Sequence, residues 1–125
     1  MDDFKHFSWK EFDCKSGKGK GIKHMNKDFI CLLDDARGIA GVPFNITSGY
    51  RTPEYNKALQ EEGFKTSKTS SHIKGLAVDI YANDSITRFK IITSLLIVGI
   101  HRIGIGNTFI HCDIDKEKPH NVMWT

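Results

Sequence analysis

Hydrophobic spacing along the chain switches repeatedly between the helical and the strand period. From Asn26 onward, Phe29, Leu32, Leu33, Ala36 and Ile39 recur at three- and four-residue intervals, which predicts an amphipathic helix. Asn26 suits an N-cap, and Gly38 or Gly41 can end the helix. Phe44-Asn45-Ile46-Thr47-Ser48 alternates instead and reads as a strand. Thr52-Pro53 opens a second helix, with threonine as cap and proline at the first helical position, and Gly63 stops it. Residues 64–71 are rich in Lys, Thr and Ser and form a loop. Between Gly75 and Tyr81, Leu76, Val78 and Ile80 share one face, while Ala77, Asp79 and Tyr81 share the other. Asp84 caps a third helix running to about Val98, and Gly99 closes it. Strands are predicted at about 101–105, 108–114 and 121–124, the last two joined by the charged turn 115–120. This order argues for an α+β fold, one domain over residues 1–125, with a largely antiparallel sheet flanked by about three helices.

Composition narrows the class. At 125 residues the chain can bury one real core but not two. The longest apolar run, Ile91 to Ile100, is interrupted by Thr93, Ser94 and Gly99, so no membrane insertion is expected. Met1-Asp2-Asp3-Phe4-Lys5-His6 lacks a basic stretch followed by an apolar one, so no secretory signal peptide is expected. Cys14, Cys31 and Cys112 cannot all pair and form no C-x-x-C, which favours reduced, mostly buried thiols. Much of the net charge of +3 comes from Lys15, Lys18, Lys20 and Lys23. These belong to a glycine-lysine stretch, 15–24, that reads as a solvated loop. It lacks the Gly-Lys-Ser/Thr ending of a phosphate-binding loop, so a nucleotide site is rejected.

The chemistry concentrates in two segments, Ser70-Ser71-His72-Ile73-Lys74-Gly75-Leu76-Ala77-Val78-Asp79 and Phe109-Ile110-His111-Cys112-Asp113. They supply two imidazoles and a carboxylate, the ligand set of a hydrolytic zinc site with one position open. Alternation places Ile110, Cys112 and Ile114 toward the core, and Phe109, His111 and Asp113 on the opposite face. Cys112 is therefore a packing residue. Asp79 points away from the core by the same logic, and strands disfavour aspartate, so its carboxylate calls for a cation or donors. Taken singly, each histidine is an ordinary surface or hydrogen-bonded residue; it is their grouping that points to a metal. Arg51, in Ser48-Gly49-Tyr50-Arg51-Thr52-Pro53, sits at a strand-to-helix junction where its fork could bind a carboxylate. Spacing alone leaves it an ordinary surface arginine. No nucleophile elbow for a Ser-His-Asp arrangement is present, and Ser70 and Ser71 read as loop-shaping residues.

These motifs resemble a family. Ser71-His72-x-x-Gly75-x-Ala77-x-Asp79 and Phe109-Ile110-His111-x-Asp113 resemble the zinc D-alanyl-D-alanine peptidases, which share a fold with the hedgehog signalling domain and cleave peptidoglycan stem peptides. Ser48-Gly49-Tyr50-Arg51-Thr52-Pro53 with Asn56 matches the family's upstream motif. Phe7-Ser8-x-x-Glu11-Phe12-Asp13-Cys14 and Val122-Met123-Trp124 resemble the ends of its small single-domain, phage- or prophage-type members. The resemblance implies a hedgehog-like fold, zinc as cofactor on His72, Asp79 and His111, and Arg51 as anchor for the peptide carboxylate or polariser of the scissile carbonyl. Ser71 is expected to touch substrate.

One position departs from the family pattern. Some relatives carry an acidic general base three residues before the last zinc histidine, and here that residue is Thr108. Asp113 is the nearest acidic candidate on the correct face, with orientation of a histidine as its alternative role. His101 is a weaker candidate. The reading is therefore a zinc peptidase acting on peptidoglycan stem peptides, as a D-Ala-D-Ala carboxypeptidase or an L-Ala–D-Glu type endopeptidase. It is expected to be a monomer with no nucleic-acid partner, made in the cytoplasm and acting on the cell wall in a lysis context. The rival readings are a non-catalytic zinc module that binds wall or a protein partner, and a basic nucleic-acid binder resting on the lysine cluster alone.

Overall fold

A computed structural model describes residues 3–64 and 66–125; Lys65, in the predicted 64–71 loop, lies outside the described residues. A 3-10 turn at Trp9–Phe12 is followed by a one-turn helix α1 (Gly21–His24) and helix α2 (Lys27–Ala40). Strand β1 (Ile46–Ser48), helix α3 (Pro53–Glu61), strand β2 (Ala77–Tyr81) and helix α4 (Ser85–Val98) come next. Strands β3 (Arg102–Ile105), β4 (Phe109–Asp113) and β5 (Val122–Trp124) complete the α+β fold.

The punctuation residues act as their chemistry predicts. The side chains of Asn26, Thr52 and Asp84 each accept a hydrogen bond from the backbone N–H three residues on, at Phe29, Tyr55 and Thr87. Gly41, not Gly38, ends α2, and Gly99 ends α4; both adopt the left-handed conformation that glycine tolerates best. Two expectations change. The 15–24 stretch is not wholly loop, because Gly21–His24 closes a helical turn over Phe12. The strand predicted from Phe44 begins at Ile46, since Phe44 is drawn fully into the core ahead of the sheet.

The five strands run in the order β1-β2-β4-β3-β5. All neighbours are antiparallel except β3 and β5, which pair in parallel. The charged turn after β4 thus carries the chain past β3 to the sheet edge, rather than folding β5 back onto β4. Helices α2 and α4 pack together on one face, where Phe29, Ile30, Leu33, Ile91 and Leu95 meet Val78, Ile80, Ile103, Ile110 and Cys112. Each large apolar side chain fully buried here contributes about 1.5–3 kcal/mol. Alternation sends Asp79, His111, Asp113, Arg102 and Gly104 to the opposite face. Of the cysteines, Cys14 and Cys112 are buried, whereas Cys31 is exposed on α2. No helix among the described residues is long and apolar enough to cross a membrane.

Candidate active site

The non-core face of the sheet forms the floor of a cleft of about 850 Å³. Asp79 and His111 stand directly opposite each other on β2 and β4, and Ser48 of β1 is register partner of Asp79 on its other side. His72 comes from the turn between α3 and β2. That turn is closed by bonds from the N–H of Ile73 to the Ser70 carbonyl, and of Leu76 to the Ser71 carbonyl. The Arg51 N–H bonds the carbonyl of His72 itself. Gly75 ends the turn at φ 72°, and a Cβ there would lie 1.9 Å from the His24 carbonyl oxygen. Glycine is required at this point both for the backbone conformation and for the close approach of α1.

The three predicted ligands converge. One donor atom from each of His72, Asp79 and His111 lies within 4.8 Å of the others. Asp79 Oδ1 is 2.9 Å from His111 Nδ1 and 3.3 Å from His72 Nε2. The outer nitrogen of each ring is held elsewhere: His72 Nδ1 by the Gly49 carbonyl at 2.8 Å, His111 Nε2 by Asp113 Oδ2 at 2.8 Å. A carbonyl only accepts, so His72 Nδ1 carries the proton and Nε2 presents a lone pair. That lone pair faces a carboxylate oxygen, an arrangement of two acceptors that a cation between them satisfies. The donor set thus fits a zinc ion, with His72 Nε2, Asp79 and His111 Nδ1 inward and a fixed hydrogen bond behind each histidine.

Close packing of the three groups shifts the titration of each. Burial would raise the Asp79 carboxyl, but the close His111 and His72 imidazoles hold it well below the usual carboxylate range. Burial pushes the His72 imidazole down against the pull of Asp79. Burial acts the same way on His111, yet its bonds to Asp113 and Asp79 prevail and raise it.

Asp113 is only 1% exposed, and both its oxygens are engaged. Oδ2 takes His111 Nε2, while Oδ1 accepts from Arg102 Nε at 2.7 Å and from the Asp115 N–H at 3.1 Å. For the two roles left open in the sequence, these contacts favour orientation of His111 over proton transfer from water. His101 is elsewhere. It bonds Asn121 and the Leu96 carbonyl, beside a separate depression with Val122 and Met123. Its place one residue before Arg102 turns it from the cleft. Ser71 lines the cleft, but its hydroxyl donates to Asp115 Oδ2 at 2.7 Å and accepts from Lys118 at 2.9 Å, so it supports the wall rather than reaching outward.

Arg51 lies beside the triad. Its Nε donates to Ser48 Oγ at 3.1 Å, one terminal nitrogen to Thr66 Oγ1 at 3.1 Å, and the other lies 3.5 Å from Asp79 Oδ2. Buried Asn56 on α3 ties this guanidinium to the 64–71 loop, accepting from Thr66 Oγ1 at 2.8 Å and donating to the Ser67 carbonyl at 2.9 Å.

Three contributors escaped the sequence reading. Gly104 faces His111 across the sheet, and a Cβ there would meet the Trp124 indole at 2.8 Å. Its absence lets Trp124 lean over the floor, with ring centroids 5.7 Å apart from His111. Arg102 lies 5.0 Å above the same indole while bonding Asp113. A glycine inside an apolar strand is the available signal, since it marks close approach by another group. Nothing in the sequence says which group.

Sheet, cleft and donor set together make an α+β fold that carries a candidate metal site on the non-core face of its sheet. The peptidase M15 family profile matches residues 5–113, and the chain belongs to that family. Among solved structures, the Serratia marcescens L-Ala D-Glu endopeptidase ChiX has a similar fold, with a TM-score of 0.63 at 17% identity. The match covers 77% of this chain and 84% of that one. No curated protein sequence matches the chain.

Proposed function

We propose that the protein is a zinc-dependent peptidase that hydrolyses an internal amide of peptidoglycan stem peptides. The observation that carries this reading is the convergence of His72, Asp79 and His111, with the His72 lone pair turned onto Asp79 and each ring held from behind by Gly49 or Asp113. Zinc bound there would supply Lewis acidity, lowering the pKa of water toward neutrality and polarising the scissile carbonyl. The chain's own residues do the rest. Asp113, fixed by Arg102, holds the His111 ring in one orientation. Arg51 presents a cation beside the triad, where it binds the carbonyl or carboxylate of the bound peptide and stabilises the negative charge that develops on oxygen.

The shape of the cleft supports an internal cut over release of a terminal residue. Asp79 and His111 occupy the middle strands, and the lining continues past them on both sides. Tyr55, Leu59 and Phe64 extend it beyond β1, and Arg102, Lys118 and Trp124 extend it over β3 and β5. The ChiX protein is named for an L-Ala–D-Glu cut, which is internal. Delivery to the wall from the cytoplasm, in a lysis setting, is part of the same proposal. Mass spectrometry of stem peptides incubated with zinc-loaded protein tests it. Two fragments from an internal bond are expected; loss of a terminal D-Ala alone would make it a carboxypeptidase. Zinc-loaded protein that pellets with peptidoglycan but releases nothing would make it a binding module.

A further inference from the structure

The charged side chains lining the cleft are Lys15, Arg51, Arg102 and Lys118 against Asp79 and Asp113. The cations outnumber the carboxylates before any metal is counted, so the cleft suits an anionic ligand. The cations differ in what they have left to offer. Arg51, held by Ser48, Thr66 and Asp79 beside the triad, is assigned above to the reacting end of the peptide. Arg102 is engaged by Asp113 and the Pro119 carbonyl, and stacks on Trp124. Lys15 is exposed, on the glycine-lysine stretch.

Lys118 is different. Its ammonium makes one hydrogen bond among the described residues, to Ser71 Oγ at 2.9 Å. Asp115 Oδ2 lies 3.8 Å away and already takes Ser71 Oγ at 2.7 Å and Lys74 Nζ at 3.0 Å. Two of the three N–H donors of the ammonium therefore remain. The Lys118 side chain is 25% accessible, held yet reachable. Its backbone is fixed as well. The Lys118 N–H bonds the Asp115 carbonyl at 3.2 Å, and the next carbonyl, of Pro119, accepts from Arg102. The network that orients His111 thus also fixes the base of Lys118, and Ser71, its hydrogen-bond partner, directly precedes His72 in the chain.

We infer that Lys118 reads a free carboxylate on the substrate, so that the cleft discriminates acidic stem peptides from amidated ones. This rests on the stem-peptide reading above. A glutamate joined through its side-chain carboxyl leaves its α-carboxylate free, and amidation of that group removes the charge without changing the scissile bond. A charged partner strengthens a hydrogen bond in a part-buried site, where a neutral amide gains much less.

The test is calorimetric titration of zinc-loaded protein with L-Ala-γ-D-Glu-L-Lys and with its D-isoglutamine counterpart, with cleavage of both followed by mass spectrometry. Wild type should bind the acid roughly tenfold more tightly than the amide. Lys118→Met should remove that preference by weakening the acid alone, and Lys118→Arg should restore part of it. Lys74→Met shares the Asp115 contact but does not line the cleft, and should leave the preference intact. Equal binding of acid and amide by wild type overturns the inference. So does a preference that survives Lys118→Met, or one lost equally in Lys74→Met. Acid preference without cleavage keeps the role of Lys118 and removes the peptidase reading instead.

Discussion

Asp79 Oδ1 and His111 Nδ1 meet at 2.9 Å across the β2–β4 ladder, as direct register partners on the face opposite the core. The candidate metal site is thus assembled by strand pairing, and His72 is brought to it by a turn whose geometry Gly75 permits. From this arrangement the following outcomes are expected.

His72→Ala, Asp79→Ala and His111→Ala should each reduce zinc from one ion per chain to near none, because each removes one of three protein donors. Elemental analysis after dialysis reads this directly. A variant that keeps a full complement is not a ligand position.

Asp113→Asn should fold and still bind zinc, with affinity lowered about 10- to 100-fold, because it loosens the ring that Asp113 holds from behind. Arg102→Met should move affinity the same way, since Arg102 fixes the Asp113 carboxylate. Chelator competition measures both. Unchanged affinity with turnover abolished in Asp113→Asn would instead make Asp113 the proton acceptor.

Arg51→Lys should retain zinc but lower kcat by about 10²–10³-fold. A lysine keeps the charge beside Asp79 but cannot reproduce the fork that bonds Ser48 and Thr66 while facing the triad. Steady-state kinetics on a stem peptide, with metal content measured on the same sample, separate the two effects.

Gly75→Ala should destabilise the fold by about 2–4 kcal/mol, since the added methyl meets the His24 carbonyl at a position of positive φ. Denaturant unfolding reads the change. Gly63→Ala provides the comparison, as its φ is also positive but no atom lies within 4 Å of the added carbon. It should cost far less.

Much of this architecture was legible in the chain because local chemistry determined it. Asn26, Thr52 and Asp84 cap their helices through contacts three residues away, well within reach of pattern reading. Alternation likewise separated His111 and Asp113 from Ile110 and Cys112. What stayed hidden depends on distant partners. The Gly21–His24 turn forms where Gly21 can sit against Trp9 and Phe12. The parallel pairing of β5 with β3 depends on where the 115–120 turn travels, and the turn's composition does not say. The engagement of Asp113 by Arg102 hangs on β3 lying beside β4, so spacing could offer proton acceptor and histidine support but not choose between them.

The β2–β4 register has a consequence for how such a site survives errors in folding. The side chains of Val78, Ile80, Ile110 and Cys112 are fully buried beneath it. A slip of one residue between the strands would turn that apolar set to water and drive Asp79 or His111 into the helices. The oily underside therefore works as an alignment key. A chain that has packed its core correctly has already placed two of its three candidate metal donors opposite each other, and a misaligned one is too unstable to present a defective site.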